Sequence, residues 1–101
     1  MSLKTTSQKK SRHTLGEKID TLFLETIELL FIASYLSKQE KLPYLRKSGM
    51  KLDMLKFFLQ VGWELKALDN KKYIMLIERL NEIGKMIGGW SRGIQNKTPT
   101  P

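Results

Sequence analysis

The stretch DNKKYIMLIERLNEIGKMIGGW, residues 69–90, decides the fold class of this 101-residue chain. Asp69 and Asn70 are residue types that cap the N-terminus of a helix. After them, apolar residues recur every three or four positions, which is the spacing of one helix face. That face comprises Tyr73, Leu76, Ile77, Leu80, Ile83, Gly84, Ile87 and Trp90. The stretch therefore predicts a long amphipathic helix with one buried side.

Two further helices are predicted before it. Thr14 and Glu17 have the spacing of a capping box, so we expect the first helix to begin near Thr14. Ser37 and Glu40 form a second capping box, and Pro43 either kinks the helix that follows or marks its true first turn. The buried side of this second helix is predicted to comprise Leu45, Leu52, Leu55, Phe58, Leu59, Gly62 and Leu65.

The first helix is apolar on more than one side, so we expect it to contact another subunit as well as its own bundle. No segment alternates between apolar and polar residues as a strand does. The sequence thus predicts an all-α, up-and-down antiparallel bundle of three long helices. Residues 14–95 form the bundle domain, residues 1–13 a flexible basic arm, and residues 96–101 a disordered tail.

Three glycines interrupt the last helix. Each interior glycine costs about 1 kcal/mol relative to alanine. Gly84 and Gly88 share one helix face, which favours a close helix crossing within or between subunits, whereas Gly88 and Gly89 are also typical of a helix end. Trp90 supplies a large apolar anchor beside them. The residues predicted to pack between helices or subunits are Leu29, Phe31, Ile32, Gly84, Gly88 and Trp90.

The segment EIGKMIGGW, residues 82–90, with LDNKKY before it, resembles the C-terminal helix of the accessory variability determinant (Avd-like) family. SRHTLGEKI, residues 11–19, and ASYLSKQEKLPYLRKSGMKLDMLKFFLQ, residues 33–60, extend the resemblance to roughly residues 11–95. These are small proteins of diversity-generating retroelements, related to the four-helix-bundle proteins encoded in intervening sequences of 23S rRNA genes. The family has a helix before the SRHTLGEKI position, where this sequence has only the basic arm.

The resemblance implies a four-helix bundle assembled as a homopentamer with a basic surface or channel. It also implies a non-catalytic cytoplasmic protein that binds template RNA, or RNA/DNA hybrids, and the reverse transcriptase, and so supports mutagenic copying. Two alternatives stay open at this point. One is a ribosomal-insertion relative, and the other is a helical protein-interaction module with no nucleic-acid role.

The charge distribution agrees with a polyanionic partner. The chain carries a net charge of +8, and residues 38–68 carry +4 while residues 14–37 carry −3. Lysine and arginine that neutralise phosphates bind nucleic acid without reading bases. The alternative is a solvated face that only keeps the protein soluble. The predicted phosphate contacts are Arg46, Lys47, Lys51, Lys56, Arg79, Lys85 and Arg92.

Other functional classes have little support in the residues. The chain has no cysteine and a single histidine, His13, so we expect no metal site, no cofactor and no catalysis. Its most apolar helix is acidic, which argues against a membrane surface. Tyr44, Tyr73 and Trp63 are candidates for base stacking, although aromatic residues at helical spacing are more often core.

Overall fold

The computed structural model describes the backbone of residues 2–97 and the side chains of residues 13–94. It contains three α-helices: α1 Ser2–Ser34, α2 Lys38–Glu64 and α3 Asn70–Lys97. No strand occurs within residues 2–97. The all-α prediction is therefore confirmed. The described part of the chain holds three helices rather than the four that the resemblance implies.

Contacts between the helices show that neighbours run antiparallel. From the start of α1 towards its end, Leu15 meets Gly62, Lys18 lies over the Phe58 ring, and Glu25 pairs with Lys51. The residue numbers of the partners on α2 thus fall as those on α1 rise, so the two helices run antiparallel. Likewise Trp63 at the end of α2 meets Asn70 at the start of α3. Short connections between antiparallel helices are typical of an up-and-down bundle.

The first helix begins earlier than its sequence suggests. Helix α1 starts at Ser2, so Thr14 lies inside it, and the prediction of a capping box at Thr14 is wrong. Glu17 instead pairs with His13 Nε2 at 2.9 Å. Residues 2–13, predicted to be a flexible arm, are instead part of α1, and they contain neither glycine nor proline to interrupt it. At the other terminus α3 extends through Lys97, and residues 98–101 of the predicted tail lie outside the described residues.

The two later helix starts differ in their caps. Asp69 Oδ1 accepts a hydrogen bond from the Lys72 backbone N–H at 2.8 Å, which confirms its predicted role. The Ser37 hydroxyl caps no backbone N–H and donates to Glu40 Oε1 at 2.7 Å instead. Helix α2 begins at Lys38, so Pro43 lies inside that helix.

Helix α2 lies between the other two. It packs against α1 on one side and α3 on the other, and no Cα of α1 comes within 8 Å of a Cα of α3 among the described residues. The core consists of Leu22, Ala33, Leu45, Leu52, Leu55, Leu59, Leu80, Ile87 and Ile94. Because the backbones of the outer helices stay apart, the bundle leaves grooves on both sides of the seam between α2 and α3.

Two buried hydroxyls are satisfied inside their own helices. Thr26 Oγ1 donates to the Leu22 carbonyl at 2.7 Å, and Ser48 Oγ donates to the Leu45 carbonyl at 2.8 Å. Each hydroxyl thereby avoids the cost of an unpaired buried polar group. Gly62 permits close packing of α1, because a Cβ there would lie 3.2 Å from Leu15 Cδ2. These small residues let α1 lie closely along α2.

Candidate nucleic-acid interface

A groove along the seam between α2 and α3 collects positive side chains. Its walls carry Arg46 and Lys56 from α2 and Lys85 and Arg92 from α3. Its volume is about 680 Å³. The remaining lining residues are Leu45, Gly49, Leu52, Asp53, Asn81, Gly84, Ile87, Gly88 and Ser91. We call this the basic groove.

Glycines keep the basic groove open. A Cβ at Gly49 would meet no atom within 4 Å. A Cβ at Gly88 would meet only the Arg92 guanidinium, at 3.4 Å from Nη1. Gly84 lies deeper, because its Cβ would lie 3.3 Å from Leu52 Cδ2. Gly84 therefore occupies a close helix crossing, whereas Gly88 leaves room for a ligand beside Arg92.

The charge inside the basic groove is unbalanced. Among the described side chains, four cationic groups share it with a single carboxylate, that of Asp53. Asp53 Oδ1 lies 4.0 Å from Lys56 Nζ, the outer limit of an ion pair, and the Asp53 side chain is largely exposed. Solvent weakens such a pair. Most of the positive potential in the groove is therefore left for an anionic ligand.

The other three predicted phosphate contacts lie elsewhere. Lys51 Nζ pairs with Glu25 Oε1 of α1 at 3.3 Å. Lys47 Nζ lies 5.7 Å from the centre of the Tyr44 ring. Arg79 lines a different groove, described next. The structure thus brings Arg46, Lys56, Lys85 and Arg92 together and separates Lys47, Lys51 and Arg79 from them.

A second groove, of about 540 Å³, is lined by side chains of all three helices, with α1 and α3 flanking α2. We call it the apolar groove. Its charged residues are Asp20 of α1 and Arg79 and Glu82 of α3. Its apolar lining consists of Ile19, Phe23, Leu55, Leu59, Leu76, Leu80 and Ile83. In a complete four-helix bundle an additional helix would cover such a surface.

Much of the apolar surface predicted to pack is exposed in the single chain. Phe31 is 62% exposed and Ile32 is 41% exposed on α1, and Leu29 is half-buried. Leu24 is 58% exposed on the same helix. Helix α2 also exposes Met50, Met54 and Phe57 on its outer side. Monomeric proteins rarely expose contiguous apolar patches of this kind, which mark interaction sites.

The aromatic candidates for base stacking are engaged within the fold. The rings of Trp63 and Tyr73 stack at 5.1 Å with 13° between their planes. The Trp63 indole N–H also donates to Asn70 Oδ1. Tyr44 is half-buried against the core. Trp90, predicted to pack between helices or subunits, is 49% exposed in the single chain.

Two further features bear on the kind of site. Within residues 13–94, no group of three or more His, Asp or Glu side chains is placed to hold a metal ion. None of the described helices combines the length and apolar character needed to cross a membrane.

Together these features define a small, basic, all-α protein with three antiparallel helices and a cationic groove along one helix seam. The sequence model of the bAvd-like family matches residues 3–94, so the chain belongs to that family and is an Avd-like accessory protein. This confirms the resemblance found in EIGKMIGGW and its neighbouring segments. No curated protein and no solved structure matched the chain.

Proposed function

We propose that this protein binds the phosphate backbone of nucleic acid through the basic groove, as an accessory protein of a diversity-generating retroelement. The ligand would be template RNA or an RNA/DNA hybrid that forms while the RNA is copied. The observation that carries this proposal is the convergence of Arg46, Lys56, Lys85 and Arg92 on one groove with a single carboxylate.

The chemistry of the basic groove favours backbone contacts over base recognition. Lysine and arginine bind phosphates as point charges or bidentate donors, and such contacts position a nucleic acid without specifying its sequence. Gly49 and Gly88 leave space for a phosphate to approach the helix backbone. The protein would therefore bind nucleic acids of many sequences.

The test is RNA affinity measured against salt concentration. Each neutralised phosphate of a single strand contributes about −0.7 to the log–log slope, so four cations predict a slope of about −3. Fluorescence anisotropy with a labelled single-stranded RNA would measure it. A slope near zero, or no binding at low salt, would overturn the proposal and favour the plain protein-interaction module.

We also propose that the chain self-associates, with the homopentamer implied by the family resemblance as the expected assembly. The exposed apolar surface of α1 and the apolar groove support this, because burying them stabilises an oligomer by about 25 cal/mol per Å² of apolar area. Like charges on the copies oppose assembly, and a bound polyanion would relieve that repulsion. Nucleic acid is therefore expected to raise the melting temperature of the oligomer.

The reverse transcriptase is the proposed protein partner. Co-purification of the two proteins, with and without nuclease treatment, distinguishes a direct contact from one bridged by RNA. A reverse transcriptase gene beside the gene for this chain would support the retroelement role. A position inside a 23S rRNA gene would instead assign the chain to the ribosomal-insertion relatives.

A further inference from the structure

A small cleft lies beside the last turns of α3, separate from both grooves. It is formed by Lys38 and Lys41 at the start of α2 and by Trp90 and its neighbours on α3. Its volume is about 210 Å³. Gly89, Gly93 and Ile94 complete the lining. We call it the tryptophan cleft.

The tryptophan in this cleft is not among the residues of the hydrophobic core. About half of the Trp90 side chain is exposed, and no ring contact joins it to another aromatic residue within residues 13–94. Trp63, the other tryptophan, is by contrast stacked on Tyr73 and hydrogen-bonded to Asn70. Tryptophan is enriched at binding surfaces, where its ring gives apolar contact and its indole N–H can donate a hydrogen bond.

Glycines leave the space around the indole open. Gly93 lies one helical turn after Trp90, where a side chain would stand beside the ring. A Cβ at Gly93 or at Gly89 would meet no atom within 4 Å. The cleft is too small for an α-helix, whose diameter with side chains is about 10–12 Å. Its size suits one flat aromatic group placed against the indole.

The charges at the cleft favour a ligand that carries negative charge as well as the aromatic group. Lys38 and Lys41 line it, and neither forms an ion pair among the described residues. The nearby carboxylate of Glu40 accepts a hydrogen bond from the Ser37 hydroxyl. An aromatic face flanked by ammonium groups is the arrangement with which proteins bind single-stranded nucleic acid, since bases stack on the ring and cations contact the phosphates.

We propose that the tryptophan cleft takes one unpaired nucleobase, which stacks on Trp90 while Lys38 and Lys41 contact the flanking phosphates. Ser91 and Arg92, the next two residues after Trp90, line the basic groove, so both sites share the last turns of α3. A base inside a duplex is stacked on its neighbours and unavailable, so the cleft selects single-stranded segments. This inference rests on the proposed nucleic-acid binding and narrows it to strands with unpaired bases.

The chain offers a direct optical test, because it contains only two tryptophans. Trp63→Phe leaves Trp90 as the sole fluorophore and keeps an aromatic ring against Tyr73. The variant is titrated with a short single-stranded RNA, with the duplex of equal length, and with inorganic polyphosphate, a polyanion without bases. Single-stranded RNA is expected to quench Trp90 strongly, whereas the duplex and polyphosphate bind with little quenching.

Affinity gives a second measurement. Trp90→Leu is expected to weaken binding of single-stranded RNA by about 5- to 150-fold, the range for loss of one base–aromatic stack, and to leave polyphosphate affinity unchanged. Trp90→Phe should restore most of the loss. Gly93→Leu should also weaken single-stranded RNA binding by filling the cleft, although leucine is the better helix former. If Gly93→Leu is at least as stable as the parent protein yet binds single-stranded RNA more weakly, unfolding cannot explain the loss of affinity.

The outcomes separate this inference from the proposed function. Equal quenching by RNA and polyphosphate would overturn base stacking and leave phosphate binding standing. Binding of none of the three probes would overturn both. Dissociation of the oligomer by Trp90→Leu, with unchanged RNA affinity per subunit, would show that Trp90 contacts another copy of the chain and would overturn the tryptophan cleft as a base site.

Discussion

Gly84 of α3 lies directly against Leu52 of α2, where a Cβ would stand 3.3 Å from Leu52 Cδ2. Leu52 is fully buried in the core. A glycine inside a helix is unfavourable on its own, and here it allows α3 to approach α2 closely. The same crossing brings Lys56 to the wall of the basic groove, since a Cβ at Gly84 would lie 3.7 Å from Lys56 Nζ.

The first prediction concerns this crossing. Gly84→Leu is expected to lower the free energy of unfolding by about 1–2 kcal/mol, because overpacking costs more than the gain in helix propensity. Urea unfolding followed by far-UV circular dichroism measures the change. Gly16→Leu is the control, since a Cβ at Gly16 meets no atom within 4 Å. Equal stability of the two variants would show that α3 does not cross α2 closely at Gly84.

The second prediction distinguishes Gly88 from Gly84. Gly88→Leu is expected to keep or raise stability, because its Cβ would meet only the movable Arg92 guanidinium. The leucine would, however, occupy the basic groove and displace Arg92, so affinity for RNA should fall. Unfolding and RNA titration on the same sample measure both effects. A variant that binds RNA like the parent would show that nucleic acid does not enter the groove at Gly88.

The different roles of these two glycines could not be read from the sequence. Their spacing places both on one side of α3, but only the position of α2 decides which of them is covered. The same holds for the basic residues of α2. Around the axis of α2, Lys51 and Lys56 lie on opposite sides of the buried Leu52. Lys51 therefore faces α1 and pairs with Glu25, whereas Lys56 faces α3 and lines the basic groove.

The sequence patterns predicted the buried faces of the helices better than the residues at which the helices begin and end. The periodicity of apolar residues identified the buried positions Leu45, Leu52, Leu55 and Leu59, because that pattern reports directly on burial. Leu65, predicted to be buried, is exposed, because α2 ends at Glu64 and the chain turns through Lys66, which has φ of 62°. A capping pattern such as that of Thr14 and Glu17 also fits a helix interior, so it predicted a false start for α1.

The third prediction tests the basic groove by charge removal. Lys85→Gln combined with Arg92→Gln should weaken single-stranded RNA binding and reduce the salt slope by about 1.4, which corresponds to two lost phosphates. Lys71→Gln combined with Lys72→Gln is the matched control, since it removes the same charge from the same helix outside the groove. Equal loss in both double variants would attribute binding to net charge rather than to the groove.

The fourth prediction concerns the exposed apolar face of α1. Leu24 and Phe31 contribute little to the single-chain core, because each is more than half exposed. Leu24→Glu combined with Phe31→Glu should therefore preserve helicity while it dissociates the proposed oligomer, because two buried carboxylates without partners would oppose association. Analytical ultracentrifugation measures the mass, and circular dichroism checks the fold.

The control for this prediction is Thr21→Glu, which adds a carboxylate at an exposed polar position of the same helix. It should leave the oligomer intact. The charge-removal variants of the basic groove should also keep their mass, since the groove lies on the seam between α2 and α3 and no described side chain of α1 lines it. Intact oligomers in the Leu24 and Phe31 double variant would exclude this face as the subunit contact. The apolar groove, with Phe23 and Leu76, would then be the remaining large apolar surface available for association.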